Sequence, residues 1–232
     1  MRTNVELLAL HAEALFRHDS AGRLRTVNEE GGSVAPIFYL GRAAEGNEWR
    51  FRHDVDENLV AELTRLCLQE PVGHFVWDPT GGVEPFREAI ARTRSVERVW
   101  SGPAFCFPRS APVEPVPEVV LVRDPSVLTA HFADWAEDVA PDRPFTAYVL
   151  DGQAVSICTS VRETGDAHEA GVETAPDFRG RGFAGAVVSA WAAQVRKLDL
   201  EPLYSTSWTN EASRAVARKL GLLHFGSDLH FS

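Results

Sequence analysis

The stretch that decides the fold reads Gly171-Val172-Glu173-Thr174-Ala175-Pro176-Asp177-Phe178-Arg179-Gly180-Arg181-Gly182-Phe183-Ala184-Gly185. The run from Ala170 to Thr174 is short and ends before Pro176, which is typical of a strand. From Phe183 onward the apolar residues recur with helical spacing, at Phe183, Val187, Val188, Trp191, Val195 and Leu198. The pattern therefore predicts a strand, a Gly/Arg turn and an amphipathic helix.

The turn has the composition of an anion-binding loop. The first N–H groups of a helix have no acceptor within it, so the amides from Gly180 to Ala184 can point at a phosphate or pyrophosphate. Arg179 and Arg181 add positive charge. The spacing Gly180-x-Gly182-x-x-Gly185 also matches the dinucleotide fingerprint, but too little chain follows for the additional βα units of that fold.

The same region resembles the GNAT superfamily of N-acetyltransferases. Arg179-x-x-Gly182-x-Ala184 fits the Q/R-x-x-G-x-G/A acetyl-CoA loop of that family, and Leu203–Trp208 resembles its fifth strand. Asn210-Glu211-Ala212-Ser213, followed by Arg218-Lys219-Leu220-Gly221-Leu222, resembles the helix that closes the cofactor site. The resemblance extends from about Val119 to the C-terminus.

The resemblance implies acetyl-CoA as co-substrate. The pantetheine arm would bond to the backbone of the strand before the loop, the loop would hold the pyrophosphate, and the closing helix would meet the arm near its thiol. The implied cofactor-binding residues are Val172, Thr174, Arg179, Gly180, Arg181, Gly182, Phe183, Ala184, Asn210 and Ser213. The acceptor would attack the thioester directly within a ternary complex, without an acyl-enzyme.

Two side chains are candidate general bases. In many relatives a His or Glu six residues before the position of Thr174 points into the acceptor site, and here that residue is His168. An imidazole, with a pKa of about 6.5, can accept a proton at neutral pH. Strand alternation places His168 on the face of Thr174 and Glu173 on the opposite face. Glu173 is the second candidate, because a strand irregularity near the loop would undo this alternation.

The general acid has no counterpart at its usual position. Many relatives carry a Tyr seven residues after the Asn of the closing helix, where this chain has Ala217. Tyr204, Ser205 or Ser207 could replace that Tyr, or the thiolate leaves without a dedicated acid. The absent Tyr also favours an alternative function, a sensor that binds acyl-CoA without turnover.

The composition, with 44% hydrophobic and 24% charged residues, is that of a soluble globular protein. A net charge of −10 argues against nucleic acid as a partner, because phosphate binding requires a basic surface. The 3 cysteines are widely spaced and the histidines lack metal-ligand spacing, so we expect neither disulfides nor a metal. No apolar run approaches the roughly 20 residues of a membrane span. These features predict a cytoplasmic protein.

The chain is expected to have three parts. The prolines between Ser101 and Glu118 predict an extended linker over 101–118. Residues 1–100 would form an N-terminal α/β domain that supplies part of the acceptor pocket or a dimer surface, or is a diverged copy of the same fold. Its predicted helices are Asn4–Arg17, Asp56–Glu70 and Glu84–Thr93, capped at Asn4 and at Asp54 or Asp56 where a cap is evident.

Residues 119–232 would form the catalytic domain. The expected order is a strand, a helix from Asp124 or Ser126 to Val139, three antiparallel strands, a helix, a strand, a helix and a last strand. The three strands are predicted at Phe145–Leu150, Gln153–Arg162 and Ala167–Thr174, with Asp151-Gly152 as a hairpin turn. The predicted class is α/β (α+β), with a mixed, mostly antiparallel sheet flanked by helices.

The sequence thus predicts an acetyl-CoA-dependent N-acetyltransferase. The expected acceptor is a primary amine of a small molecule or peptide, and the expected partner is a second copy of the chain in a homodimer. No run of residues identifies the amine.

Overall fold

The structure is a computed structural model, and it describes residues 2–74, 76–78, 80–109 and 116–232. The chain forms two compact units that are discontinuous in sequence. The first unit contains Met1–Phe105, Ser205–Glu211 and His224–Ser232, and the second contains Cys106–Tyr204 and Ala212–Leu223. The division of roles among residues 1–100, 101–118 and 119–232 stays a prediction.

Within its described residues, the first unit combines three helices with two small groups of strands. The helices are α1 (Asn4–Leu15), α2 (Glu57–Gln69) and α3 (Glu84–Ala91). The strands β1 (Phe16–His18) and β2 (Leu24–Val27) form an antiparallel pair. The remaining strands of this unit adjoin in the order β4-β3-β11-β5, with bounds β3 (Phe38–Arg42), β4 (Asn47–Phe51), β5 (Val99–Cys106) and β11 (Leu223–Phe231).

The two faces of this sheet pack on different helices. One face packs on α2 and α3 through a core that includes Phe38, Leu63, Phe86 and Phe231. The other face carries Asp228, whose carboxylate is buried and lies 3.2 Å from His11 Nε2 of α1. The alternation of β11 therefore directs Leu229 and Phe231 to one side and Asp228, the partner of His11, to the other.

Local signals fix the helix starts in this unit. Thr3, rather than the predicted Asn4, caps α1, because its hydroxyl accepts from the amide of Glu6 and the Glu6 carboxylate accepts from the amide of Thr3. Asp56 caps α2, as one of the two predicted alternatives. Asp54, the other one, binds Arg52 and Arg94 instead.

The second unit is built around five strands in the order β10-β9-β8-β7-β6. They are β6 (Val119–Leu121), β7 (Phe145–Leu150), β8 (Gln153–Glu163), β9 (Ala167–Thr174) and β10 (Glu201–Ser205). The neighbours from β6 to β9 are antiparallel, and β9 and β10 are parallel. The helices are α4 (Phe183–Lys197) and α5 (Glu211–Lys219), which enters this unit from Ala212 onward. The mixed, mostly antiparallel class is confirmed.

Two sequence predictions were wrong. The helix expected up to Val139 consists of two 3-10 segments, Pro125–Leu128 and Ala133–Asp138, which Phe132 separates in a non-helical conformation (φ −138°, ψ 35°). Their apolar residues still reach one core, so the spacing alone did not distinguish one helix from two turns. Residues 101–106 of the predicted linker lie in β5, and residues 110–115 lie outside the described residues.

No helix within the described parts of the chain has both the length and the apolar character that a membrane span requires.

Candidate functional site

The parallel strands β9 and β10 pair over only part of their lengths. The paired positions are Glu201 with Ala167, Pro202 with His168 and Leu203 with Glu169. Beyond the pair of Leu203 and Glu169, β9 continues for five residues to Thr174, and β10 continues to Ser205. Backbone groups that face another strand without pairing to it can bind an extended ligand. The end of β9 therefore forms one wall of a candidate site that leads into the Gly/Arg loop.

The loop is open on the side where two glycines lie. Gly180 has φ +77° and Gly182 has φ +88°, conformations that L side chains rarely adopt, and a Cβ at either would meet nothing within 4 Å. No side chain in the described residues caps α4 at Gly182. The amides of Phe183 and Ala184 occupy the first two helical positions, which have no acceptor within a helix. The loop therefore presents N–H donors and accessible backbone to an anion.

Both loop arginines are exposed and are held by the loop itself. Arg179 Nε donates to the carbonyl of Thr174 at 3.1 Å. Arg181 donates to the carbonyl of Asp177 at 3.0 Å, and its guanidinium lies 5.2 Å from the ring centroid of Phe178. The two cations are thus kept beside the start of α4, where each adds to the positive potential of the helix N-terminus.

The strand before the loop is fixed from β8 and β7. The Thr174 hydroxyl lies 2.8 Å from the Ser156 hydroxyl, and Val172 is paired with Cys158. The ring of Phe183 stacks on Tyr148 with centroids 4.1 Å apart. Phe183 therefore anchors the first turn of α4 by its side chain, which leaves its amide as the group that can meet a ligand.

His168 lies in the paired part of β9 and is 6% exposed. Its Nδ1 is 2.9 Å from Ser160 Oγ, which accepts a hydrogen bond of 3.0 Å from Trp191 Nε1 of α4. Burial lowers the pKa of His168, opposed by the charge of Glu163. The imidazole is therefore kept neutral and is oriented by a serine that α4 holds in place.

Glu173 occupies the opposite face of β9, as the alternation predicted. Its carboxylate is exposed and accepts a 3.0 Å hydrogen bond from Trp135 Nε1, in the segment Ala133–Asp138. His168 and Glu173 consequently contact different layers of the second unit, and the structure does not bring these two candidate bases together.

Tyr204 follows the last paired residue of β10, at the point where pairing with β9 ends. Its hydroxyl is 2.6 Å from Ser213 Oγ of α5, and the ring is 1% exposed. Burial raises the pKa of Tyr204 to about 12, and the charge of Glu169 adds to this effect. Ala217 is buried one turn after Ser213, so α5 brings no hydroxyl to that position. Asn210 is exposed and lies directly before α5.

Sequence reasoning missed three supports of this site: Ser160, Trp191 and the buried carboxylate of Glu169. The alternation of β8 would have placed Ser160 correctly only up to the irregularity between Ser160 and Arg162, where the register with β9 shifts. Glu169 is 2% exposed and lies at the last paired position of β9. A buried carboxylate in a strand was the available signal, because such groups are rare without a partner or a role.

Burial decides the state of the Cys158 thiol. Burial raises the pKa of the Cys158 thiol well above its ordinary value, so this side chain is no thiolate nucleophile at neutral pH. Among the residues that the structure describes, no group of three His, Cys, Asp or Glu side chains is arranged to hold a metal ion.

Comparison with known proteins gives a family match. The model of a family described as GNAT acetyltransferase matches residues 146–226, which include β8, β9, the Gly/Arg loop, α4, β10 and α5. No curated protein matches the chain.

Several solved structures resemble the chain at low identity. A putative GNAT acetyltransferase from Novosphingobium aromaticivorans is 19% identical with a TM-score of 0.47; the match covers 59% of this chain and 65% of that one, less than two thirds of its length. A GCN5-related N-acetyltransferase from Kribbella flavida is 13% identical with a TM-score of 0.48, and the match covers 100% of this chain and 95% of that one. A tandem GNAT protein from the clavulanic acid biosynthesis pathway is 14% identical with a TM-score of 0.44, and the match covers 98% of this chain and 93% of that one.

Proposed function

We propose that the chain, whose residues 146–226 match the GNAT acetyltransferase family model, transfers an acetyl group from acetyl-CoA to a primary amine of a small molecule or peptide. The family supports an acyltransferase in general terms. Acetyl-CoA as donor, an amine as acceptor and a cytoplasmic location are our proposal, as is a homodimeric state.

One observation carries the proposal: unpaired strand backbone leads directly into an open glycine loop at a helix N-terminus. The pairing of β9 with β10 stops at Glu169, and β9 continues to Thr174 before the loop. An extended arm that ends in a pyrophosphate fits this order, because strand backbone bonds to amides and a helix N-terminus binds anions. The open space above Gly180 and Gly182 supports the same ligand.

Acetyl-CoA, when bound, supplies the thioester whose acyl group is transferred. The chain must remove a proton from the amine and stabilise the departing thiolate. We assign the first task to His168. Its Nδ1 lies 2.9 Å from Ser160 Oγ, which accepts from Trp191 Nε1 and can act as donor or acceptor toward His168. The assignment requires the tautomer in which Nδ1–H donates to Ser160 Oγ. In this tautomer the Nε2 lone pair is the base.

The lowered pKa suits this role. A buried neutral imidazole is unprotonated at neutral pH and can take the amine proton directly or through water. Glu173 stays the second candidate base, since its carboxylate is exposed and Trp135 holds it on the other face of β9.

We assign the second task to the hydroxyl pair of Ser213 and Tyr204. The raised pKa, about 12, keeps Tyr204 protonated, and its hydroxyl lies 2.6 Å from Ser213 Oγ and 3.3 Å from the Ser213 carbonyl. The assignment requires that the Tyr204 O–H donates to Ser213 Oγ. Ser213 then retains its own proton for the thiolate. In this arrangement a strand residue and the first turn of α5 supply the donor that position 217 lacks.

The first test is ligand-dependent stability. Acetyl-CoA at about 100 times its Kd should add roughly 2.7 kcal/mol to the free energy of unfolding, whereas NAD and NADP should add nothing. Release of free CoA thiol with a panel of primary amines then measures turnover. Stabilisation by acetyl-CoA without thiol release from any amine would favour the sensor, for which Ala217 is the argument. A shift with NAD and none with acetyl-CoA would overturn the proposed cofactor.

A further inference from the structure

A cluster of aromatic rings in the first unit surrounds one histidine that the proposed chemistry does not use. His224, at the start of β11, lies with its ring centroid 3.8 Å from Trp77, 5.4 Å from Phe105 and 6.4 Å from Trp208. Trp77 is 68% exposed, which is unusual for the largest apolar side chain. One side of the cluster therefore meets solvent as a Trp face.

The histidine offers an acceptor that nothing fills. His224 Nε2 is buried and has no hydrogen-bond partner among the described residues. The ring bonds to the backbone of Gly226, and this bond raises the pKa of His224 against the larger lowering effect of burial, as expected when the imidazole donates. The hydrogen therefore lies on Nδ1, and Nε2 keeps a bare lone pair. Burial lowers the pKa to about 4, so the imidazole is uncharged at neutral pH and does not repel a cation.

An ionised carboxylate lies next to Trp77 in the sequence. Asp78 follows Trp77 directly, and its carboxylate accepts hydrogen bonds from the amide and hydroxyl of Thr80. The backbone bond from Thr80 lowers the pKa of Asp78, so the group stays ionised. The chain as a whole carries a net charge of −10. Trp faces attract ammonium groups, and an organic ammonium brings the N–H donors that Nε2 lacks.

We propose that Trp77, His224 and Trp208 form a recognition site for an organic ammonium group, the cationic part of the acceptor amine. The ring of Trp77 covers His224, and rotation of this exposed side chain gives the ligand access to Nε2. The identity of the ligand as acceptor rests on the proposed acyl transfer, whereas binding of the ammonium group to the first unit does not.

The test uses the full-length protein, with n-butylamine as probe and n-butanol as its neutral counterpart, both titrated by calorimetry and by tryptophan fluorescence at neutral pH. Butylamine should bind and quench fluorescence, and butanol should not. Trp77→Leu should weaken butylamine binding about threefold to thirtyfold through the lost cation–π contact. His224→Phe keeps an aromatic ring, removes the acceptor and should weaken binding about tenfold or more. Leu68→Ala, at a side chain 72% exposed outside the cluster, is the matched control and should bind as wild type.

Circular dichroism checks that each variant is folded, and Trp77→Leu alters an exposed residue, so this arm stands if His224→Phe does not fold. Equal binding of butanol and butylamine, or an unchanged butylamine Kd in Trp77→Leu, would overturn the proposal. The outcomes also separate it from the proposed function. If amines are acetylated with the same KM in Trp77→Leu and wild type, the site does not hold the acceptor amine and the function stands. If amines bind but acetyl-CoA does not, the site stands and the function fails.

Discussion

Replacing Gly182 by Asp gives the sharpest test of the cofactor loop. Gly182 has φ +88°, and a Cβ there meets nothing within 4 Å, so the substitution creates no clash in the free protein. The backbone cost of an L residue in this region is roughly 1–2 kcal/mol. For a chain of this size that lowers Tm by about 2–8 °C, so the variant should still fold.

The effect on acetyl-CoA should be much larger than the effect on folding. Two like charges about 4 Å apart cost about 1 kcal/mol in water and about 4 kcal/mol at an effective dielectric of 20. Two pyrophosphate charges beside the new carboxylate therefore cost at least about 2 kcal/mol, or a roughly thirtyfold weaker Kd. Calorimetric titration with acetyl-CoA measures the Kd, and circular dichroism with thermal melting measures the fold.

The hairpin between β7 and β8 supplies the matched control. Gly152 has φ +77°, and a Cβ there also meets nothing within 4 Å. Gly152→Asp should therefore lower Tm by a similar amount and leave the acetyl-CoA Kd unchanged. A folded Gly182→Asp variant that binds acetyl-CoA within about threefold of wild type would show that the phosphates are held elsewhere.

Three further predictions concern proton transfer and pH. His168→Gln should lower kcat/KM for the amine about 10²–10⁴-fold and leave the affinity for acetyl-CoA nearly unchanged. It should also flatten the acidic limb of the pH–rate profile, which lies below about 6.5 in wild type because burial lowers the pKa of His168. A larger loss of kcat/KM in Glu173→Gln would move the base to Glu173. Tyr204→Phe should lower kcat with the acetyl-CoA Kd unchanged, and an unchanged kcat would remove Tyr204 from the acid role. The free energy of unfolding should fall as the pH falls from about 6.5 toward 4, because burial lowers the pKa of His224 to about 4 and the unfolded state then binds more protons. Chemical unfolding at several pH values measures this dependence. A His224→Phe variant whose free energy of unfolding changes with pH as steeply as that of wild type would contradict the prediction.

Local signals predicted the elements that position the site. The bounds Ala167–Thr174 for β9 follow from a short run between the turn residues Gly165-Asp166 and Pro176, and the structure has the same bounds. The hairpin turn at Asp151-Gly152 has positive φ at both residues, as the Asp-Gly signal implies. The start of α4 at Phe183 follows from Gly182, whose left-handed conformation is typical of a turn before a helix. Each of these features depends on residues close in sequence.

The missed features depend on residues that are distant in sequence. Ser160, His168 and Trp191 meet across two strands and a helix, and the irregularity in β8 changes which β9 residues face which partners. The wrong helix before Val139 arose because two 3-10 segments bury the same apolar residues as one helix would. Where β11 inserts, next to β3, is a long-range pairing that no periodicity in the strand reveals.

The interleaving of the two units limits how the chain can be cut. A fragment that begins at residue 119 would carry β11 without β3, whose residues from Phe38 to Arg42 pair with Phe231 to Ser227. Such a strand would present unpaired backbone, which invites aggregation. A fragment that ends at Phe105 would in turn lack Leu229 and Phe231 from its core and Asp228 as the partner of His11. The chain therefore cannot be cut cleanly at either of these points, and deletion experiments on either half would report on misfolding before they report on catalysis.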